Sequence, residues 1–181
     1  MRLRPLKSSS TAEPVHSTRS LGSQGQAEIR RYVPGDEGAL SALLRRTLLE
    51  VNARQCPNEE IDWLYDRYTP ETVAKIARDG HMYVMTEGDT IVGTGTVVQT
   101  GERECEIIAA FLLPEAIGRG LGTQLFEVLE ADEWCEDANR IWLTSSVNAL
   151  DFYEKRGYVN PCGYRTRGAD GLLTMEKRKK R

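Results

Sequence analysis

The sequence predicts an α+β protein in which helices flank one mainly antiparallel sheet. Three observations support this fold class. Short β-rich segments are interspersed with helical ones, three consecutive β-rich segments are joined by tight turns, and no internal repeat is present. The chain has 181 residues, which is long enough for one sizeable core. Its 40% apolar and 28% charged residues are typical of an ordinary globular domain. We expect a single domain over residues 26–176, between a disordered leader at 1–25 and a basic tail at 177–181.

The first third of the chain predicts one strand followed by three helices. Pro34-Gly35 ends a short β-rich segment, and Asp36 is a residue type that caps helices. Leucines then recur at helical spacing and give the first helix one apolar side. Thr69 and Pro70 together are typical of a helix start. The predicted elements are a strand at Glu28–Val33 and helices that begin near Asp36, Pro57–Asn58 and Thr69.

The remainder of the chain predicts six further β-rich segments. The first three are joined by turns at Glu87-Gly88-Asp89 and Gly101-Glu102, and are therefore antiparallel. A helix follows the third, and another begins at Asn148. The predicted strands are His81–Thr86, Thr90–Thr100, Glu104–Leu113, Arg140–Ser145, a start of a strand at Gly157–Val159, and Leu172–Glu176.

A glycine-rich turn leads from the strand ending at Leu113 into a helix, and we interpret it as an anion-binding loop. Gly118, Gly120 and Gly122 alternate, so the backbone can adopt positive φ and approach a ligand closely. The first amides of the helix lack intrahelical acceptors, and together with the helix dipole they suit a pyrophosphate. The apolar side of the helix is formed by Leu121, Leu125, Val128 and Leu129.

Two common phosphate-binding signatures do not fit this turn. A P-loop needs a Lys followed by Ser or Thr, which is lacking here. A dinucleotide fingerprint that starts at Gly118 would need a third glycine where Thr123 stands, and little room remains for a following βαβ unit. A glycine-rich helix start that binds nothing remains an alternative.

Two stretches resemble the signatures of the GNAT superfamily of N-acetyltransferases. Ile117-Gly118-Arg119-Gly120-Leu121-Gly122, after Leu112-Leu113-Pro114, is similar to the acetyl-CoA loop written Q/R-x-x-G-x-G/A, from which only Ile117 departs. The stretch from Ser146 to Tyr158 resembles the second signature, F-Y-x-K-x-G-F/Y with a preceding Ala; it matches from Ala149 onward, and Ser146 takes the place of the common Asn. The two motifs occur in the family's order and cover Glu106 to Tyr158.

The resemblance implies a mixed, mostly antiparallel sheet of six to seven strands that is splayed between the fourth and fifth strands. It also implies acetyl-CoA as the co-substrate. A backbone N–H at Leu112 or Leu113 would bind the thioester oxygen, and the amides of the glycine loop would bind the pyrophosphate, with the Arg119 charge outside. The expected acetyl-CoA-binding residues are Leu112, Leu113, Gly118, Arg119, Gly120, Leu121, Gly122, Thr123, Ser146, Asn148 and Tyr153.

By the same resemblance, Tyr153 would be the general acid and Glu106 the base. A phenol stays protonated at neutral pH and can protonate a thiolate of similar basicity. Glu106 lies eleven positions before Ile117, as the glutamate of the histone-type branch does. The alternatives are a core role for Tyr153, a surface role for Glu106, a base formed by another group or by water, and Glu104, which lies on the same side of the strand two residues earlier.

Charge points to a basic acceptor. The first 25 residues and the last five hold an excess of eight positive charges, so the body of the chain carries −11 against −3 for the whole. Such a body repels nucleic acid and attracts cations. The candidate acceptor-pocket residues are Glu59, Glu60, Asp62, Trp63, Tyr65, Asp66 and Tyr68. Equally, Ile61, Trp63 and Leu64 could form the core side of that helix.

We therefore expect an acetyltransferase that acts on a primary amine, of a small molecule or a peptide, by direct attack in a ternary complex. A non-catalytic acyl-CoA-binding sensor and a nucleotide-binding fold are the alternatives, and the family allows a homodimer. The widely spaced Cys56, Cys105, Cys135 and Cys162 predict free thiols and neither a metal site nor a disulfide framework. A cytoplasmic location without membrane contact is expected; a transit peptide is the alternative for the leader, and a nucleic-acid or localisation role for the tail.

Overall fold

One six-stranded sheet organises the structure, a computed structural model that describes residues 27–54, 58–146, 149–161 and 172–179. Each strand lies beside the next one along the chain, in the order β1 to β6. The strands are β1 Glu28–Arg31, β2 His81–Glu87, β3 Thr90–Gly101, β4 Glu104–Leu112, β5 Arg140–Ser145 and β6 Leu173–Arg178. The helices are α1 Glu37–Glu50, α2 Asn58–Arg67, α3 Pro70–Asp79, α4 Leu121–Glu130, α5 Glu133–Asp137 and α6 Leu150–Lys155, with 3₁₀ turns at Asn52–Arg54 and Pro114–Ala116.

The sheet is mixed and mostly antiparallel, which confirms the predicted α+β class. Only β4 and β5 run parallel, because the crossover through α4 and α5 returns the chain to the end of the sheet from which β4 starts. The strand predicted to begin at Gly157 is limited to one antiparallel bridge, Val159 with Glu176 of β6. Within the described residues, the sheet therefore has six strands.

The helices pack through the apolar sides that their spacing predicts. Leu40, Leu44 and Leu48 of α1 are buried, and α1 packs on β3 and β4. Leu125 and Leu129 of α4 are also buried, and burial of a leucine side chain contributes about 2 kcal/mol. These contacts hold the first turn of α4 at the end of β4. Within the described residues, no helix is long and apolar enough to cross a membrane.

The two helix caps that the sequence predicts differ in outcome. Thr69 does cap α3, since its hydroxyl accepts the N–H of Thr72 at 3.2 Å. The Asp36 carboxylate does not cap α1. It instead accepts two hydrogen bonds from Arg30, at 2.7 and 2.8 Å, and the N–H of Val33 at 2.9 Å. A strong charged donor on β1 therefore outcompetes the helix amides.

Candidate functional site

An opening between β4 and β5 forms the centre of the candidate site. The two strands pair over only three residues each, from Glu104 with Arg140 to Glu106 with Trp142. β4 then continues to Leu112 and β5 to Ser145, but the two strands do not pair with each other there. Beyond Glu106, the facing edges of the two strands therefore no longer bond to each other. This is the splay expected between the fourth and fifth strands.

A β-bulge in β4 lies within the opening. The register shifts by one residue between Thr94 with Phe111 and Thr96 with Ile108, so that two β4 residues oppose one residue of β3. One of them, Ala109, has a φ of +50°, which is rare for a residue with a side chain. Bulges bend a strand and increase its twist, so this one helps to direct the end of β4 away from β5.

The glycine loop after β4 presents free backbone amides. Gly118 and Gly120 have φ of +80° and +82° with open space where a Cβ would lie. The N–H of Thr123 is used, since it donates to the Gly120 carbonyl at 3.0 Å. Four neighbouring N–H groups have no acceptor among the described residues, and they belong to Arg119, Gly120, Leu121 and Gly122. With the N-terminus of α4 behind them, they can bind an anion such as a pyrophosphate.

Contacts from three directions hold this loop in place. A Cβ at Gly122 would lie 3.5 Å from Phe152 and 3.6 Å from Leu112, so the loop packs between α6 and the end of β4. Arg119 pairs with Glu87 at the end of β2 at 2.5 and 3.1 Å. Its side chain therefore lies on the outside of the loop. Ile117, at the position where the family has Gln or Arg, is 49% exposed.

One free backbone donor at the end of β4 points into the opening. The N–H of Leu113 is engaged, since it donates to the Val92 carbonyl at 2.9 Å. Hydrogen-bonded and non-hydrogen-bonded pairs alternate in an antiparallel ladder, so Leu112, opposite Gly93, directs its N–H away from β3. The Leu112 carbonyl, which belongs to the following peptide group, accepts the hydroxyl of Thr47 at 3.0 Å, and this bond helps to hold the end of β4 in place. Of the two predicted donors, Leu112 therefore remains available.

Tyr153 lies in α6 within an aromatic cluster beside α4. The residue is 8% exposed, and its ring contacts those of Phe126, Phe152 and Tyr158 edge to face, with centroids 5.2 to 5.9 Å apart. Burial raises the pKa of the phenol above its ordinary value, because the phenolate would lose hydration. The hydroxyl is therefore protonated at neutral pH, as a general acid must be.

The two candidate bases on β4 differ in their surroundings. Glu104 pairs with Arg140 at 3.3 Å. Glu106 is half-buried, and within the described chain no cation lies at ion-pair distance from it. Burial alone raises the pKa of Glu106 to about 7. At neutral pH the Glu106 carboxylate can therefore both accept and release a proton.

The remaining predicted residues are placed less closely around the opening. Ser146 follows β5 and is half-buried, whereas Asn148 lies outside the described residues. In α2, Ile61 is buried and Trp63 is 58% exposed, with the Arg67 guanidinium 5.1 Å from its ring centroid. Tyr68, just after α2, contacts Phe111 of β4 edge to face at 6.0 Å. Asp62 and Asp66 are exposed, Tyr65 is half-buried beneath Arg45, and the side chains of Glu59 and Glu60 lie outside the described residues.

Trp142 is the residue of this region that sequence reasoning misses. It is the last β5 residue that pairs with β4, directly opposite Glu106. Its indole N–H donates to the Thr100 hydroxyl of β3 at 3.2 Å. The alternation of side chains along β5 predicts which face of the sheet Trp142 occupies. The sequence does not predict that Trp142 pairs with Glu106, because a long crossover separates the two strands and their register has no local signal.

Comparison with known proteins gives a family and a fold. The sequence model described as the Acetyltransferase (GNAT) family matches residues 42–158. No curated protein matches the chain as a relative. Among solved structures, the PaiA N-acetyltransferase of Thermoplasma acidophilum, in complex with coenzyme A, is 20% identical with a TM-score of 0.73, and the match covers 85% of this chain and 99% of that one.

Two further structures share this architecture. A GCN5-related N-acetyltransferase of Rhodopseudomonas palustris is 22% identical with a TM-score of 0.71, over 87% of this chain and 99% of that one. The N-acetylglutamate synthase of Neisseria gonorrhoeae, complexed with coenzyme A and L-arginine, is 16% identical with a TM-score of 0.57, over 87% of this chain and 34% of that one. At these identities the likeness establishes a common fold.

Proposed function

Because the chain belongs to the Acetyltransferase (GNAT) family, we propose that it transfers an acetyl group from acetyl-CoA to a primary amine by direct attack in a ternary complex. One observation carries the proposal. The four free amides of the glycine loop, at the N-terminus of α4, lie next to the opening between β4 and β5. An anion site and an unpaired strand edge are thus adjacent, as a pyrophosphate followed by a pantetheine arm requires.

The described residues fit acetyl-CoA through the backbone. The amides of Arg119, Gly120, Leu121 and Gly122 would bind the pyrophosphate, and the N–H of Leu112 would bind the thioester oxygen. This hydrogen bond stabilises the transition state most strongly, because negative charge develops on the thioester oxygen as the amine attacks. Acetyl-CoA supplies an activated acyl group, and the chain supplies position and proton transfer.

Glu106 would be the base. An alkyl amine is mostly protonated at neutral pH and must lose a proton before it can attack. A carboxylate with a pKa of about 7 accepts that proton more readily than an ordinary glutamate does. Tyr153 would then protonate the departing thiolate, for which its protonated phenol is suited.

Direct attack is favoured over an acyl-cysteine intermediate. Cys105 and Cys135 are fully buried and contact each other, with their sulfur atoms 3.1 Å apart. No histidine is paired with either thiol in the described part of the chain, so neither has the adjacent base that activates many cysteine nucleophiles. The remaining thiols, Cys56 and Cys162, lie outside the described residues.

Calorimetry with acetyl-CoA, followed by a thiol-release assay over a panel of amines, tests the proposal. We expect binding, and thiol release with at least one primary amine. Tyr153→Phe should lower kcat at least tenfold and leave the Kd for CoA unchanged. Binding without release on any amine would favour the alternative, a non-catalytic acyl-CoA sensor. Competition by ATP or NAD would favour a nucleotide-binding protein.

Two glycine-to-alanine variants, one in the loop and one outside it, test whether the loop binds acetyl-CoA. Gly120→Ala places a Cβ at a φ of +82°, so it should distort the free amides and weaken acetyl-CoA binding at least tenfold. Gly35→Ala imposes comparable strain at a φ of +110°, also with open space around it, in the turn after β1. Equal loss of binding in both variants would contradict the assignment of the loop.

A further inference from the structure

Trp142 lies at the apex of the opening between β4 and β5. It is directly across from Glu106 in the last pair of the parallel ladder. Residues paired in a ladder direct their side chains to the same face of the sheet, so the indole and the Glu106 carboxylate are neighbours. Both side chains are half-buried. An aromatic ring and a carboxylate therefore border the point where the strands separate.

The indole is held in a defined orientation. Its N–H donates to Thr100 on β3, so the ring extends from β5 across β4. The guanidinium of Arg140 lies 5.4 Å from the ring centroid. Arg140 is itself held by Glu176 at 2.6 Å and by Glu104 at 3.3 Å. The ring is thus fixed from two sides and is covered on one face.

The position of Arg140 leaves the side of the ring toward the opening without a cation in the described part of the chain. Arg140 precedes Trp142 on β5, and the strands separate only after Trp142, so the guanidinium covers the closed side. An indole face attracts cations through its quadrupole. Arg140 is committed to the Glu104 and Glu176 carboxylates, whereas Glu106 has no such cation in the described chain. The open face and Glu106 together are suited to an external cation.

We propose that Trp142 determines acceptor specificity: its open indole face and the Glu106 carboxylate receive the acceptor as a primary alkylammonium ion. This rests on the proposed function, since it names the acceptor class of that site. The bound ammonium transfers one proton to Glu106, which leaves a neutral amine and a neutral carboxyl group. The lone pair of that amine then attacks the thioester carbonyl, so that a C–N bond forms and the C–S bond breaks. Tyr153 protonates the departing thiolate and regains a proton from the amide nitrogen, and Glu106 releases its proton to solvent. An aryl amine, which is uncharged at neutral pH, makes no cation–π contact with the ring.

Binding is measured first, without turnover, on the full chain saturated with CoA. The ¹⁵N–¹H indole signals of the three tryptophans are recorded, and Trp142→Phe identifies the signal of Trp142. Titration with n-butylammonium should shift that signal saturably, whereas n-butanol, which has the same length and no charge, should not. In Glu106→Gln the shift should need at least a several-fold higher concentration. An equal response to both probes, or none, would overturn the inference.

Kinetics then test specificity. Trp142→Leu should raise the KM for n-butylamine about tenfold or more at nearly unchanged kcat, which is within the range of a desolvated cation–π contact. The KM for aniline should stay the same, and Trp142→Phe should be intermediate. The control is Trp134→Leu. Trp134 stacks on His81 at 3.6 Å, in a cluster on the face opposite to Glu106, so its variant should keep the wild-type KM.

The two experiments separate the inference from the proposed function. An ammonium-specific shift of the Trp142 signal without thiol release on any amine would overturn acetyl transfer and retain the cation site. Transfer to amines with the same KM change for butylamine and aniline would retain acetyl transfer and overturn the role of Trp142.

Discussion

Burial of a single carboxyl group links activity and stability at Glu106. Its pKa of about 7 lies above the ordinary value near 4.5, so the folded state binds this proton more tightly than the unfolded chain does. Stability is therefore lost as pH rises from about 4.5 to 7, because the unfolded chain ionises first. Above pH 7 the folded protein keeps a buried charge that its proposed function requires.

We predict that Glu106→Gln stabilises the protein at pH 8 and has little effect at pH 5. The amide removes a buried charge that is ionised only at the higher pH. Urea unfolding at both pH values measures the difference. The control is Glu104→Gln, which removes an ion pair with Arg140 and should bring no gain at pH 8. A Glu106→Gln effect of the same size at both pH values would refute a raised pKa.

A second prediction at the residue scale concerns the bulge. Ala109 is buried and has a φ of +50°, where a β-branched side chain is strongly disfavoured. Ala109→Val should therefore cost more than about 2 kcal/mol of unfolding free energy, whereas Ala109→Gly should stay within about 1 kcal/mol. Ala110→Val is the matched control, since its φ is not positive. Unfolding in urea gives all three values, and equal costs for the two valine variants would argue against the bulge.

At the scale of elements, Asp132 joins three segments that lie far apart in the sequence. Its carboxylate, of which only 1% is exposed, accepts hydrogen bonds from Tyr83 at 2.7 Å and Arg31 at 3.2 Å, and lies 2.9 Å from Nδ1 of His81. It also accepts the N–H of Trp134 and so caps α5. One buried charge therefore connects β1, β2 and α5.

We predict that Asp132→Asn lowers the unfolding free energy by about 3 kcal/mol. The amide cannot satisfy all of these donors, and removal of one member of a buried charged network leaves the others unpaired. Asp137→Asn changes an exposed residue at the end of the same helix and should cost less than about 0.5 kcal/mol. Thermal unfolding of both variants would show similar midpoints if the network were unimportant.

For the molecule as a whole, local patterns predicted most of the elements and their order, but not α5, and the strand predicted at Gly157 is only a single bridge. Two motifs predicted the family and the splayed sheet. The α1 leucines and the Thr69 cap depend on near neighbours, so they could be read from the sequence. The bulge at Ala109 depends on the register with β3, and the position of Trp142 on the register with β4. Such registers join residues that are distant in the chain, and no local pattern encodes them.

The net charge of the body of the chain affects how the acceptor reaches the site. The body of the chain carries an excess of acidic residues, so its field should attract an alkylammonium ion from solution. We predict that kcat/KM for n-butylamine falls several-fold between 20 and 500 mM NaCl, since the screening length shortens from roughly 20 Å to about 4 Å. Measured at saturating acetyl-CoA, kcat/KM for uncharged aniline should remain flat, because no long-range force acts on it. A parallel decline for both amines would mean that salt weakens the folded site or the co-substrate complex, and that the charge of the body does not guide the acceptor.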